Sequence, residues 1–422
     1  MPVNGINDWL DVLIVFLVAL LGLMLWLLGT AMVIWFERRL IARMQYRVGP
    51  IQIGPWGIFQ SFIDGLKFFI KEDMIPEKVD RGVYVIAPLI SAVVGMSFMA
   101  IIPFGGTMEW FGREVRLQIW DPNVGMLWAL AWSSIGVYGI ILAGWASNSK
   151  YALMGGVRAS AQMIAYELAF GLSVCAVFIW NGSMRMSDIV AAQGAALFPG
   201  IPVLEWLPAW NVIPMFPAFV LFFTAGLAET GRPPFDLPEA EGELVAGFMT
   251  EYTAARFAMF YLAEFMNMIT MAAFTVTLFF GGTGGPLTGI GIVDMFLPGI
   301  WFFIKILVFL YIFVAFRGSM PRFRYPHLMD LGWKVMLPTG IFWVAATGFI
   351  VAMRTGVIDG GPSVAEVLPW LGGVILLTAL AWFIGPFLND APEDHDTSED
   401  HDVLEEESDD DVMATSSSMT GV

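Results

Sequence analysis

The chain has 422 residues, of which 57% are hydrophobic and only 14% are charged. Its formal net charge of −17 is concentrated at one end, because residues 389–422 hold 13 Asp and Glu and no Lys or Arg. This composition excludes an ordinary soluble globular domain. It predicts a membrane protein that ends in a disordered, solvated acidic tail.

Nine apolar segments have about the length that a helix needs to cross a hydrocarbon core of about 30 Å. They are residues 9–36, 83–103, 124–146, 157–180, 213–229, 254–281, 297–316, 333–353 and 364–388. Helices satisfy their own backbone hydrogen bonds, so the fold class is predicted to be an all-α polytopic membrane protein. The loops after the odd-numbered helices carry 16 Lys and Arg and the other side carries 4. This bias predicts an external N-terminus and a cytoplasmic acidic tail.

A basic collar, "ERRLIARMQYRVGP" at residues 37–50, follows the first segment. It either anchors the topology or docks a soluble partner. The next stretch, "WGIFQSFIDGLKFFIKED" at residues 56–73, has one narrow polar stripe on an otherwise apolar helix. The stripe consists of Gln60, Asp64, Lys67 and Lys71. Because this helix is too short and too charged to span, it is predicted to be amphipathic and to lie in the membrane interface.

Three ionisable residues lie well inside apolar segments, at membrane depth: Glu167, Glu264 and Lys305. A charge near the bilayer centre costs about 2.5–3.5 kcal/mol, so such residues commonly mark ion pathways. The alternative is a neutral carboxyl group that hydrogen-bonds neighbouring helices together. Cys175 is the single cysteine and cannot by itself hold an iron–sulfur cluster or a zinc ion. We expect it to be a small buried apolar side chain.

The stretch "ETGRPPFDLPEAEGELVAGFMTEY", residues 229–252, gathers six carboxylates and one arginine, Arg232. Its three prolines exclude a regular helix through "RPPFDLP". In the part that follows, Glu239 and Glu243 share a face if the segment is helical, and Glu241 points elsewhere. Carboxylates packed so closely in a poorly solvated place titrate as a coupled unit. The alternative is a solvated acidic loop.

The sequence resembles one family at these residues. The family is the subunit of proton-pumping NADH:quinone oxidoreductase, respiratory complex I, that joins the hydrophilic arm to the membrane arm. Its bacterial form is designated H and its mitochondrial form is designated 1. Four motifs carry the resemblance: "ERRLIARMQYRVGP" (37–50), "GWASNSKYALMGGVRASAQMIAYE" (144–167), "AETGRPPFDLPEAEGELVAGFMTEY" (228–252) and "RGSMPRFRYPHLMDLGWK" (317–334).

The resemblance implies an eight-helix membrane domain over residues 1–354, which forms a quinone chamber with the hydrophilic arm and couples quinone reduction to proton translocation. An extra transmembrane helix (355–388) and the acidic tail (389–422) lie outside the family pattern. A member of this family is thus part of a translocase, but it contains no redox centre and no bond-breaking residue.

The resemblance also assigns roles to individual residues. Those of the quinone chamber are Arg38, Arg47, Asp64, Glu229, Arg232, Phe235 and Asp236. Those of the proton relay are Glu239, Glu241, Glu243, Glu251, Glu167 and Glu264, and the intramembrane Lys305 is grouped with them. Some members carry a further acid in the third helix near Ser134, which this chain lacks, so a shorter relay is expected.

Quinone, either ubiquinone or menaquinone, is the implied substrate, and FMN and iron–sulfur clusters are implied only in partner subunits. The implied partners are hydrophilic-arm subunits with the terminal iron–sulfur cluster, small membrane subunits, antiporter-like subunits and lipid, with no nucleic acid. The implied location is the bacterial inner membrane. Two alternatives stay open: the equivalent subunit of a membrane-bound hydrogenase-type complex, and a freestanding ion transporter. The transporter is disfavoured because no internal repeat is found.

Overall fold

The computed structural model describes residues 9–110, 113–194, 208–236, 244–286 and 291–354, and over these residues it is a helical bundle. Seven of the helices are long and apolar enough to cross a membrane. An eighth apolar helix, Phe216–Glu229, has 14 residues, so it rises only about 21 Å against a hydrocarbon core of about 30 Å. These eight helices correspond to the first eight predicted segments and confirm the all-α polytopic fold.

The elements are labelled in chain order. They are α1 (Trp9–Met44), α2 (Gln60–Ile70), α3 (Arg81–Ser97), β1 (Thr107–Trp110), β2 (Arg113–Arg116), α4 (Gly125–Ala146), α5 (Lys150–Asn181), α6 (Met186–Ala192), α7 (Phe216–Glu229), α8 (Ala254–Phe279), α9 (Gly291–Ser319), α10 (Tyr325–Asp330) and α11 (Leu337–Arg354). A π-helical turn, Leu331–Met336, joins α10 to α11. We call the end of the bundle that holds α2 the collar end and the end that holds the two strands the hairpin end.

Helix α1 is long because the basic collar continues it. Its 36 residues rise about 54 Å, far more than the hydrocarbon core requires. The amphipathic helix that follows, α2, is confirmed, but its 11 residues are fewer than the stretch 56–73 in which it was predicted. It starts late because Gly54, Trp56 and Gly57 all have positive φ, which an α-helix does not allow. Its apolar side chains point outward, with Phe69 79% exposed.

Helix α8 is the central element of the bundle. In its most apolar stretch 83% of the residues are buried, whereas no other spanning helix exceeds 50%. It contacts α1, α2, α3, α6, α7 and α9. Glu264 lies in the first half of α8, so the fold places this carboxylate inside the protein near the collar end.

Two glycines let the segment after α7 lie against α5. A Cβ at Gly155 of α5 would lie 2.7 Å from Cα of Gly247, so only glycine allows this approach. Gly247 itself has φ +55°, a conformation that favours glycine. The preceding residues 232–236 form turns, which confirms the irregular backbone predicted from the prolines. The loop that carries Arg232 is thus fixed at both of its described ends.

The structure differs from the prediction in two places. Strands β1 and β2 form an antiparallel hairpin that was not predicted, with Met108 and Val115 buried beneath it. Cys175 is exposed on the outer face of α5, so the expectation of a buried thiol was wrong. The physical reason is that the outer face of a spanning helix meets lipid, which accepts an apolar thiol as readily as a protein core does.

Some predictions lie outside the described residues. These are the ninth helix at 364–388, the acidic tail and the boundaries at 354 and 388. They stay predictions.

Candidate functional site

A cavity of ≈ 720 Å³ lies at the collar end, between the end of α1, the chain that follows it, α2, α8 and α9. We call it the collar chamber. Its polar lining residues are Glu37, Arg38, Gln52, Gln60, Arg47, Tyr261 and Arg317. Its volume is within the range of about 300–1,000 Å³ that small-molecule sites occupy, so the chamber has room for an aromatic headgroup of ordinary size.

Arg38 and Asp64 form an ion pair beside the collar chamber. The Asp64 carboxylate also accepts a hydrogen bond of 3.2 Å from the Gln60 amide, and Lys67 Nζ lies 4.0 Å away. Burial raises the pKa of Asp64, but the hydrogen bonds from Arg38 and Gln60 outweigh burial and leave this pKa below its usual value. Asp64 is therefore ionised at neutral pH and holds α2 against α1.

Behind the chamber lies a buried charge cluster, which we call the arginine cluster: Glu37, Arg232, Glu264 and Arg317. Arg232, whose side chain is 4% exposed, lies 3.2 Å from Glu37 Oε1 and 3.1 Å from Glu264 Oε1. Arg317 pairs with the same oxygen of Glu37. Two carboxylates and two guanidinium groups thus compensate one another, which buried charges require. Because Glu37 and Arg317 also line the chamber, the cluster forms part of its wall.

The turn that carries Arg232 is held from α5. The Gln162 amide donates to the backbone carbonyls of Ala228 (2.9 Å) and Phe235 (2.8 Å), one on each side of Arg232. The Phe235 ring packs edge-on against Tyr166, with ring centroids 5.4 Å apart, and is 3% exposed. Phe235 therefore anchors the loop in the helical core, and it is not among the described residues that line the collar chamber.

Asp236 follows this turn and forms an ion pair with Arg322, with 2.9 Å between Oδ2 of Asp236 and Nη2 of Arg322. Burial raises the pKa of Asp236 to about 6, and Arg322 opposes this rise. The sign of the pH dependence follows from this shift. The folded-state pKa lies above the usual 3.8, so the contribution of Asp236 to stability falls as pH rises from about 4 to about 6 and then stays low.

Replacing Arg322 with glutamine is expected to raise the pKa of Asp236 further, because the neutral amide no longer favours the carboxylate. The infrared carbonyl band of the protonated carboxyl group, identified by its loss in Asp236→Asn, should persist to higher pH than in the wild type. Arg324→Gln is the matched control, since Arg324 is exposed on the same segment. An unchanged titration in Arg322→Gln would contradict the assigned pairing.

A second, smaller cavity of ≈ 90 Å³ lies deeper, among α3, α4, α5, α7 and α8. We call it the inner cavity. Its polar lining residues are Ser91, Ser133, Glu229, Thr230, Glu264 and Asn267. One water takes about 30 Å³ of liquid volume and needs two to four polar partners, so the cavity is roomy and polar enough for several waters.

Glu229 and Glu167 are the next carboxylates beyond Glu264, and of these two it is Glu229 that lines the inner cavity. The buried Oε2 of Glu229 has no hydrogen-bond partner among the described residues. The charged neighbour of Glu229 is Glu167, whose Oε1 accepts hydrogen bonds from Ser133 (2.9 Å) and Ser134 (2.5 Å). Where some family members were expected to carry an acid, this chain thus supplies a hydroxyl that bonds the neighbouring glutamate.

The structure brings most of the predicted site residues together in two adjoining groups. Arg38, Arg47 and Asp64 lie at the collar chamber. The second group extends from the arginine cluster to the inner cavity and contains Arg232, Asp236, Glu264, Glu229 and Glu167.

Lys305 and Glu251 lie elsewhere. Lys305 donates to the carbonyls of Phe280, Gly282 and Gly284 at 2.6–3.0 Å. Phe280 is 16 residues beyond Glu264 along the chain, or about 24 Å of helix. Lys305 therefore lies at the hairpin end, where it donates hydrogen bonds to the backbone carbonyls that follow α8. Glu251 follows Phe248 and Met249, which line the inner cavity. Its backbone carbonyl accepts a hydrogen bond of 2.7 Å from the Tyr84 hydroxyl.

Glu239, Glu241 and Glu243 lie outside the described residues, so their place in a relay stays a prediction. Sequence reasoning also missed functional candidates. Glu37 and Arg317 of the arginine cluster were not selected, although both stand in the quoted motifs. Glu37 is the single acid of the basic collar, and this isolation was the signal that could have found it.

The fold and the site together define a polytopic membrane protein with a polar chamber at one end and a buried, charge-compensated path leading from it. A model of the family described as NADH dehydrogenase matches residues 16–348. The chain therefore belongs to this family, that of the NADH-quinone oxidoreductase H subunit.

Curated relatives agree with this assignment. The NADH-quinone oxidoreductase H subunit of Thermomicrobium roseum is 46% identical over 344 residues, which cover 81% of this chain and 97% of the relative. The protein of the same name from Frankia casuarinae is 43% identical over 362 residues, 84% of this chain and 76% of the relative. That from Cutibacterium acnes is 43% identical over 363 residues, 83% of this chain and 80% of the relative.

Proposed function

We propose that the chain acts as the membrane subunit of an NADH-quinone oxidoreductase complex, that its collar chamber holds the quinone headgroup, and that the arginine cluster transmits quinone reduction to a proton path. The observation that carries the proposal is that the chamber and the arginine cluster share two residues. Glu37 and Arg317 line the ≈ 720 Å³ chamber and also pair within the buried cluster. A charge that appears in the chamber is thus next to side chains whose ion pairs lead inward to Arg232 and Glu264.

The electrons come from partner subunits, because a chain with one cysteine holds no iron–sulfur cluster. FMN and the clusters belong to hydrophilic-arm subunits, which dock at the basic collar end. Small membrane subunits and antiporter-like subunits complete the complex. The membrane is the bacterial inner membrane, with the collar end and the acidic tail in the cytoplasm, as the distribution of basic residues indicates. The tail is outside the chemistry of this site.

Reduction of a quinone takes up two electrons and two protons, so it passes through a change of charge in the chamber. At an effective dielectric constant of about 20, two charges about 4 Å apart interact by about 4 kcal/mol. This energy corresponds to about three pKa units at about 1.4 kcal/mol each. A negative quinone intermediate beside Glu37 therefore competes with Glu37 for Arg232 and Arg317 and weakens these ion pairs. Nearby carboxylates then take up protons.

The disturbance then has a contiguous route. Arg232 joins Glu37 to Glu264. Glu264 and Glu229 both line the inner cavity, where water can carry protons between them. Glu229 is electrostatically coupled to Glu167, which accepts hydrogen bonds from Ser133 and Ser134. Glu239, Glu241, Glu243 and Glu251 belong to the same proposed relay through the loop that follows Arg232.

The chamber assignment is tested at its wall. Arg38→Leu and Asp64→Leu each remove half of a partly exposed ion pair, so stability should fall by no more than about 1 kcal/mol. Quinone turnover should fall about tenfold or more, since the unpaired charge and the lost charged hydrogen bond both change the chamber wall. Electron flow from NADH to an artificial acceptor of the hydrophilic arm should survive. Arg81→Leu, an exposed arginine at the same end, should leave both activities unchanged.

If both activities fell together in an assembled complex, the chamber would not be the quinone site. Purification of the complex also decides between electron donors, because the subunits that accompany the chain identify the complex. The names of the relatives favour the NADH-linked complex over a hydrogenase-type complex, and family membership disfavours a freestanding transporter.

A further inference from the structure

A second cleft at the collar end lies on the other side of α1 from the collar chamber. It has ≈ 350 Å³ and is lined by Trp35, Phe36, Arg39, Leu40, Arg43 and Trp56. The Arg39 guanidinium donates to the Trp56 carbonyl at 3.0 Å, and Trp35 Nε1 donates to the same oxygen at 3.0 Å. The Arg39 carbon Cζ lies 5.7 Å and 5.9 Å from the centroids of the Trp35 and Trp56 rings. Arg39 is therefore held in a fixed position.

Within the described residues, the two arginines of this cleft are not paired with a carboxylate. None of the ion pairs within the described part of the chain includes Arg39 or Arg43. The adjacent Arg38, by contrast, pairs with Asp64. Two uncompensated guanidinium groups that share one cleft favour an anion, and the planar guanidinium matches a phosphate in geometry and charge.

An apolar groove of ≈ 170 Å³ continues from this cleft along α1. Trp35 and Phe36 line both spaces, so the groove and the cleft are contiguous. The groove lies between α1, Ile269 of α8 and the α9 residues Phe303, Ile306, Leu307 and Leu310. Trp26 is 13 residues before Arg39, or about 20 Å of helix, so the groove reaches deeper than one leaflet of a hydrocarbon core of about 30 Å.

We propose that the cleft and groove form a binding site for one anionic phospholipid, whose phosphate lies between Arg39 and Arg43 and whose acyl chain lies along α1 toward Trp26. Three features match the parts of such a lipid in order. The two arginines match its phosphate, the two tryptophans match its interfacial region, and the apolar groove matches its acyl chain. A quinone lacks the phosphate that two guanidinium groups require. The site is separate from the collar chamber and does not rest on the function proposed for that chamber.

The experiment uses the intact complex, reconstituted in bilayer discs with phosphatidylglycerol that carries a photoreactive group on one acyl chain. After illumination, labelled peptides are mapped by mass spectrometry. Labels are expected on α1 from Leu25 to Phe36 and on the facing α9 residues. Photoreactive phosphatidylcholine should label these peptides about tenfold less, because its headgroup carries no net negative charge.

Matched variants separate a site from ordinary surrounding lipid. Arg39→Gln with Arg43→Gln should reduce labelling by phosphatidylglycerol about tenfold or more, whereas Arg81→Gln at the same end should not. Gly29→Leu should also reduce it by filling the groove that Gly29 lines. Gly348→Leu is its control, since a Cβ at Gly348 meets nothing within 4 Å.

Three results would overturn the proposal. Equal labelling by both lipids, or by the wild type and the arginine variant, means that only unspecific surrounding lipid is present. Competition by a quinone means that the groove belongs to the quinone's route. Absence of labelling on these peptides of the complex means that a partner covers the face.

Discussion

Replacing Arg232 with glutamine is expected to destabilise the protein by about 3–5 kcal/mol, the usual cost of removing one partner from a buried ion pair. Arg232 is 4% exposed and contacts both Glu37 and Glu264. The neutral amide leaves Glu264 without this cation, and Glu37 keeps Arg317 as its guanidinium partner. Quinone reduction should also be lost, because Glu37 lines the chamber and is no longer held by Arg232.

The measurement is a denaturant titration of the purified protein in micelles, together with quinone reductase activity of the complex. Arg324→Gln, an exposed arginine near the same end, should change neither. Arg232→Gln combined with Glu264→Gln should be more stable than Arg232→Gln alone, because the carboxylate that lost its cation has been removed. If Arg232→Gln were as stable as Arg324→Gln, the arginine cluster would not hold these charges together.

Replacing Asn267 with leucine is expected to reduce proton translocation about tenfold while the complex stays assembled. Asn267 lines the inner cavity, and its Oδ1 has no hydrogen-bond partner among the described residues, so water in the cavity is its natural partner. Leucine has a similar size and offers water no hydrogen bond. The loss of one buried hydrogen-bonding group costs about 1–3 kcal/mol, and about 1.4 kcal/mol is a factor of ten.

The matched control is Asn181→Leu, which changes the same kind of side chain at the far end of α5, where its amide donates to Val177 at 2.9 Å. Binding of quinone, measured by displacement of a chamber inhibitor, should be normal in both variants. Normal proton translocation in Asn267→Leu would mean that protons do not pass through the inner cavity.

Much of the fold could be predicted from the sequence because lipid imposes a simple length and hydropathy rule. The rule finds where a helix crosses lipid but not where it ends. Helix α1 continues to Met44, beyond the apolar segment that ends at residue 36, because backbone hydrogen bonding continues through the basic collar. The hairpin of β1 and β2 was missed because each strand has only four residues, too few for a clear alternating pattern.

Some members of the candidate site were predictable from the sequence, but Glu37 and Arg317 were missed and none of the pairings was predictable. Glu167, Glu264 and Arg232 were recognisable because each is an ionisable residue in or beside an apolar segment. The pairing of Glu37 with Arg317 spans 280 positions, and no spacing rule connects residues so far apart. The two cavities are equally invisible in the sequence, because they depend on how the helices around them pack together.

The most direct test of the account is the number of protons translocated per electron in vesicles that contain the complex with Glu229→Gln. Glutamine keeps the shape of Glu229 and cannot titrate, so the path between the inner cavity and Glu167 should be interrupted. We expect an assembled complex in which quinone reduction and proton translocation are lost together, with electron flow to an artificial acceptor intact. Quinone-driven translocation at the normal ratio in this variant would contradict this expectation.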